Sequence, residues 1–104
     1  MAGKTPEKKV QDKIIAYLDS IHKSGSFPLE WFRRDAIGPN YKKGLPDLWV
    51  LVNGHHIEIE VKAPGGKRSA MQIKWEQRFR ACRIPYMVVD SFELFTELFS
   101  PYLK

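Results

Sequence analysis

The run "DLWVLVNGHHIEIEVK", from Asp47 to Lys62, constrains the fold more than any other segment of the chain. Leu48 to Val52 is an apolar stretch of strand length, and Ile57, Ile59 and Val61 recur at every second position after it. Asn53-Gly54 lies between them. That dipeptide best tolerates the two positive φ angles of a type I′ turn, so the segment predicts a tight antiparallel hairpin. On the returning strand, His55 to Lys62, side chains alternate faces. Ile57, Ile59 and Val61 share one face, and Glu58, Glu60 and Lys62 share the other. Asp47 opens the partner strand, so it and the Glu60–Lys62 end both fall at the open end of the hairpin.

The remaining elements follow from periodicity and punctuation. Thr5-Pro6 reads as an N-cap followed by a first helical residue. Val10, Ile14, Tyr17, Leu18 and Ile21 then recur at helical spacing, which predicts a helix of about five turns ending near Ser24-Gly25. "LEWFRR", Leu29 to Arg34, predicts a short strand, and "DAIGPNYKKGLP" a loop. Ser69 with Gln72 three residues later has the form of a capping box. It opens a helix with Met71, Trp75, Phe79 and Cys82 on one face. Pro85 follows that helix, "YMVV" reads as a short buried strand, and Ser91 caps a last helix, "FELFTELF". The predicted order is αβββαβα, an α/β fold. All of it fits one domain over residues 1–104, long enough to bury a single core.

Composition narrows the setting. One cysteine, Cys82, excludes an intramolecular disulfide framework. No apolar run approaches the length of a membrane span, and no apolar leader segment is visible, so a cytoplasmic setting with no membrane partner is expected. The net charge is +5, yet Asp47, Glu58 and Glu60 against Lys62 give residues 44–62 a balance of −2, so the remainder carries +7. An acidic spot on a basic body suits an enzyme that holds a cation and acts on a polyanion. A basic surface kept only for solubility gives the same totals.

Two carboxylates meeting beside a lysine suit a hard divalent cation, since magnesium prefers oxygen ligands and keeps several waters. Such an ion acidifies a bound water toward neutrality, and the lysine can orient that water or offset charge in the transition state. Each piece alone is ordinary. A Glu and a Lys two apart on a strand are commonly solvated, and Asp after Pro is a common turn residue. The combination "PD", twelve residues, then "EVK" is far more specific.

That combination and the element order resemble the PD-(D/E)XK nuclease superfamily. "GLPDLWVL", "HIEIEVKAPGGKRSAMQIKW" and "IPYMVVDS" resemble, more narrowly, the virus-type replication-repair nuclease (VRR-NUC) domain, over about Glu7 to Ser91. The resemblance implies a restriction-endonuclease-like αβββαβ core with a C-terminal helix, its mixed sheet flanked by helices. It also implies a Mg2+- or Mn2+-dependent endonuclease with no small-molecule cofactor. Free-standing short members of that family are phage or bacterial proteins. They act as dimeric, structure-selective endonucleases on branched DNA, similar to Holliday-junction resolvases.

Carried onto this chain, the resemblance makes Asp47, Glu60 and the backbone carbonyl of Val61 metal ligands and Lys62 the catalytic lysine. Gln72 would position the lysine or the water, and Glu7 would approach the metal directly or through water. Gln72 is equally explained as the capping partner of Ser69, and Glu7 as a first-turn carboxylate favoured by the helix dipole. Glu58, one pleat away, is expected to be solvated.

Basic pairs flank the acids. Lys42 and Lys43 precede Gly-Leu-Pro-Asp, Lys67 and Arg68 follow Glu-Val-Lys, and Arg33 and Arg34 end the first strand. Such pairs suit phosphate contacts that position DNA without reading its sequence, although each is singly explained as a solvated charge. His22, His55 and His56 lack partners at metal-ligand spacing and are expected to be structural. Phe92, Leu94, Phe95, Leu98, Phe99 and Tyr102 give the last helix a broad apolar surface, which suits either core completion or a two-fold dimer. Beside the leading reading stand a flap-type or weakly selective nuclease, a DNA-binding module of the same fold with a silent site, and a small structural protein.

Overall fold

The computed structural model describes residues 3–34 and 43–104. The first helix, α1 (Pro6–Ser24), starts where the Thr5 hydroxyl accepts the Lys8 amide hydrogen at 3.1 Å, and stops at Gly25, whose φ of 69° is left-handed. Ile14 and Leu18 on its inner face are fully buried. Four strands follow: β1 (Leu29–Arg33), β2 (Leu48–Val52), β3 (His55–Val61) and, after helix α2 (Ala70–Ala81), β4 (Tyr86–Val89). Helix α3 (Phe92–Phe99) and a 3-10 turn (Ser100–Leu103) close the chain.

The strands lie in sequence order in one sheet, antiparallel from β1 to β3 and parallel between β3 and β4. Asn53 (φ 47°) and Gly54 (φ 81°) make the β2–β3 turn with both angles positive, as the dipeptide predicts. Main-chain bonding continues one residue past the strand ends. Arg34 N–H donates to the Asp47 carbonyl at 2.9 Å, and Lys62 N–H donates to the Val89 carbonyl at 2.8 Å.

One sheet face carries the hydrophobic core. Leu48, Val50, Ile57, Ile59, Val61 and Val89 meet Ile14 and Leu18 of α1 and Phe95 and Phe99 of α3. The aromatic stripe of α3 is largely consumed there. Phe95 and Phe99 are fully buried and their rings stack at 5.0 Å, while Tyr17 meets Phe95 edge-on at 5.9 Å. Leu98 stays exposed.

The opposite face is not apolar, and here α2 departs from its expected role. None of its residues is fully buried, and Met71 and Cys82 are exposed. A parallel β3–β4 pair needs a crossover, and α2 supplies it on the face that bears Glu58 and Glu60. The helix therefore covers ion pairs instead of a second apolar core. Among the described residues, no helix is long and apolar enough to cross a membrane.

Candidate active site at the open end of the hairpin

Register places the acids. Leu48 pairs with Ile59, so Asp47, one residue earlier, falls opposite Glu60. Its Oδ2 accepts the amide hydrogen of Val61 at 3.2 Å, which fixes the carboxylate against the backbone between Glu60 and Lys62. Burial pushes the Asp47 carboxyl up to about 6, with the negative charges of Glu7 and Glu60 adding to the rise and the Val61 amide opposing it. Glu7, exposed in the first turn of α1, is thus within electrostatic reach of Asp47.

Gln72 holds both roles that its sequence context allows. Its Oε1 accepts the Ser69 amide hydrogen at 2.8 Å, while the Ser69 hydroxyl accepts from Gln72 N–H at 3.1 Å, completing the capping box. The same Oε1 lies 3.4 Å from Lys62 Nζ. Helix capping therefore places the amide where it meets the lysine. The loop before Asp47 is fastened to the same helix. Gly44 has φ 85°, and a Cβ there would stand 2.7 Å from Met71 Cβ, so only glycine permits the approach. Trp75 Nε1 donates to the Lys43 carbonyl at 2.9 Å.

Glu58 is not solvated. It and Glu60 have no exposed surface, and each is held by an arginine fork. Arg34 spans both Glu58 oxygens, with Nη2 to Oε2 at 2.9 Å, and Arg68 spans both Glu60 oxygens at 3.0 Å each. His56 Nε2 lies 2.6 Å from Glu58 Oε2 and its ring stacks on Trp49, so this histidine belongs to the buried pair. The Arg34 guanidinium also lies over the Trp49 and Phe79 rings, and its Nη1 donates to the Pro46 carbonyl at 3.1 Å. That last contact joins the Glu58 pair to the Pro-Asp turn. The Tyr86 hydroxyl donates to Glu60 Oε1 at 2.8 Å; burial, then the Glu60 carboxylate, pushes that hydroxyl well above its usual range.

The basic residues expected to contact phosphate stand in different settings. Arg34 and Arg68 are committed to buried carboxylates and do not offer free guanidiniums to solvent. Arg33 is half-buried, at the β1 position paired with Leu48 on the core face. Lys43 and Lys67 are exposed, and Lys42 lies outside the described residues. His22 Nδ1 is 2.9 Å from the Leu29 carbonyl and 2.7 Å from Glu30, tying α1 to β1, and His55 meets Tyr102 edge-on.

The donor chemistry fits a hard cation. Asp47 is a half-buried carboxylate facing the negative charges of Glu7 and Glu60, and such a group gains from a bound cation. Asp47, Glu60 and the Val61 carbonyl are the groups that would hold it. Among the described residues, no three His, Cys, Asp or Glu side chains gather into a metal-binding group by themselves, so main-chain oxygen and water would have to complete the shell.

No protein-family model and no curated protein matches this sequence. A solved structure described as "VRR_NUC domain" does match in three dimensions, with a TM-score of 0.75 over 95% of this chain and 99% of that one. The chain has the VRR-NUC fold. Sequence identity in the match is 24%, so the likeness is one of architecture. Within the VRR-NUC fold, the Pro-Asp turn, the Glu-Val-Lys strand end and the start of α2 converge through the bonds described above. The Arg34–Glu58 and Arg68–Glu60 pairs are what sequence reasoning missed. A signal for their burial was present, because a strand–helix–strand order around β3 requires a helix over its polar face. The partnership of Arg34 with Glu58 was not legible, since the two are 24 residues apart.

Proposed function

We infer that this protein is a metal-dependent nuclease that hydrolyses phosphodiester bonds in DNA. The observation that carries this reading is the Asp47–Val61 hydrogen bond, which sets the Pro-Asp carboxylate beside the Glu-Val-Lys strand end. The VRR-NUC fold agrees with it. A divalent cation held by Asp47, Glu60 and the Val61 carbonyl would supply positive charge at the scissile phosphate and acidity for the attacking water. The chain's own groups do the rest. Lys62 offsets charge building on the phosphoryl oxygens, and Gln72, 3.4 Å from its Nζ, keeps the ammonium directed into the site. Water adds to phosphorus while one ester P–O bond breaks. The water's proton ends on the departing oxygen, leaving one phosphate end and one hydroxyl end.

Branched DNA is the proposed substrate and a two-fold dimer the proposed assembly; both rest on the resemblance of the Gly-x-Pro-Asp and Glu-Val-Lys motifs to free-standing VRR-NUC proteins. Glu7 and Gln72 are proposed as supporting residues, and Lys43 and Lys67, with Lys42, as phosphate contacts. A binding module with a silent site is the competing reading. The Arg68 fork across Glu60 favours it, because the carboxylate is already occupied.

The test is cleavage of labelled four-way junction, flap and linear duplex with Mg2+ or Mn2+, wild type against Lys62→Ala. Metal-dependent cutting that the substitution abolishes supports the nuclease, and paired symmetric cuts confined to the junction support the resolvase-like form. Cuts in flap or linear DNA alone remove the branched-junction preference. Binding without cutting in any metal leaves the silent module.

A further inference from the structure

Three donors already hold the two oxygens of Glu60. Arg68 Nε reaches Oε2 and Nη2 reaches Oε1, each at 3.0 Å, and the Tyr86 hydroxyl reaches Oε1 at 2.8 Å. A carboxylate offers about four lone-pair positions, so little of Glu60 remains for a cation. The arginine fork is also the strongest side-chain competitor for it.

Arg68 differs from Arg34 in one respect that bears on function. Its remaining nitrogen, Nη1, lies 2.8 Å from Glu76 Oε1 on α2, and the other Glu76 oxygen takes Arg80 Nε at 2.7 Å. The guanidinium is suspended between two carboxylates, one on β3 and one on α2. If Glu60 turned to another cation, Arg68 would keep a charged partner in Glu76. Among the described residues Arg34 has no second carboxylate, and is held instead by Pro46, Trp49 and Phe79. Arg68 also belongs to the connection between Lys62 and the Ser69 cap, which contains Gly65 (φ 73°) and Gly66.

We propose that Arg68 is an internal counter-ion that occupies Glu60 until a divalent cation displaces it, and that the displaced guanidinium, kept at the site's edge by Glu76, then contacts DNA phosphate. The proposal rests on the nuclease reading of Asp47 and Glu60. It reconciles that reading with the occupied carboxylate, and it makes Arg68 a positioning residue whose place depends on the metal. Because coupling between two ligands is reciprocal, the cation should tighten DNA binding and DNA should tighten cation binding.

The experiment is Mn2+ binding to DNA-free protein, read from loss of the free-ion EPR signal, for wild type, Arg68→Gln and Arg80→Gln. Arg80→Gln removes the same charge next to Glu76 without touching Glu60. Arg68→Gln is expected to bind Mn2+ at least tenfold more tightly than wild type, and Arg80→Gln within about twofold of wild type. Equal effects of the two substitutions, or none, would overturn the proposal. A measurement on the wild type is independent of how the variants fold. Titration with Mg2+ should shift the Arg68 Nε–H resonance and speed its exchange with solvent, and an unchanged resonance at saturating Mg2+ would sink the idea. Metal-dependent cleavage together with an Mn2+ affinity indifferent to Arg68 removes the latch and keeps the nuclease. Absence of any Mn2+ binding in all three proteins, with no cleavage, removes both.

Discussion

Replacing Asp47 with asparagine removes a charge while keeping an oxygen that can accept the Val61 amide hydrogen. Burial and the charges of Glu7 and Glu60 hold the Asp47 carboxyl at about 6, against 3.8 for the free group. The folded protein therefore binds this proton more tightly than the unfolded chain does. The stabilising contribution of the protonated form is complete below about pH 4 and is lost as pH rises through about 6. Raising a carboxyl from 3.8 to about 6 corresponds to about 3 kcal/mol against the charged form at pH 8. Asparagine carries no such penalty, so Asp47→Asn should be more stable than wild type at pH 8 by up to about 3 kcal/mol, and no more stable at pH 4. At 4–8 °C per kcal/mol for a domain of this size, the gain in Tm should be of order 10–20 °C. Thermal unfolding followed by circular dichroism at pH 4, 6 and 8 tests it. A gain of equal size at all three pH values, or a loss at pH 8, would refute the assignment of Asp47 as a charge held at a cost. Mg2+ should raise the Tm of the wild type and leave that of Asp47→Asn nearly unmoved, since an ion that binds only the folded state stabilises by mass action.

Glu58→Ala should cost about 3–5 kcal/mol in urea unfolding, because it leaves the Arg34 guanidinium buried without its partner. The double change Arg34→Met with Glu58→Leu should recover most of that loss; if it is as unstable as the single variant, the pair is not the reason. Gly44→Ala should destabilise by at least about 1–2 kcal/mol from its positive φ alone. The contact with Met71 should add to that loss, so urea unfolding indistinguishable from wild type would contradict the close approach. Gln72→Glu should keep the capping box and therefore a stability within about 1 kcal/mol of wild type, while lowering cleavage through the changed contact with Lys62. Unaltered cleavage would leave Gln72 a cap alone.

How much of this was legible in the sequence differs between the two faces of one strand. Ile57, Ile59 and Val61 announced themselves, because alternation with apolar residues has a single outcome once a hairpin turn fixes the register. Asp47 reaching the Glu60–Lys62 end followed from the same register, with no tertiary information. Glu58 and Glu60 obeyed the same alternation and yet are buried, because β3 is an inner strand with β2 on one side, β4 on the other and α2 across its polar face. Period-2 patterning reports which residues share a face; what covers that face depends on the crossover. Arg34 and Arg68 looked like surface charges for the same reason, since a guanidinium is read as solvated until its carboxylate partner is located.

The cost of burying charge also bears on how the site is built. Two glutamates without exposed surface are tolerable only when their oxygens are filled. In this fold two arginines, one just past the end of β1 and one before α2, fill them, the first locked by aromatic rings and the second shared with a second carboxylate. Among the described residues Asp47 has no comparable cation, and it carries the raised pKa instead. The three acids of the hairpin thus stand in three conditions: Glu58 closed, Glu60 closed by a partner with an alternative anchor, and Asp47 open. A divalent cation entering at Asp47 would meet its least obstructed ligand first and would then have to take Glu60 from Arg68. That order predicts that Asp47→Asn weakens Mn2+ binding more than Arg68→Gln strengthens it.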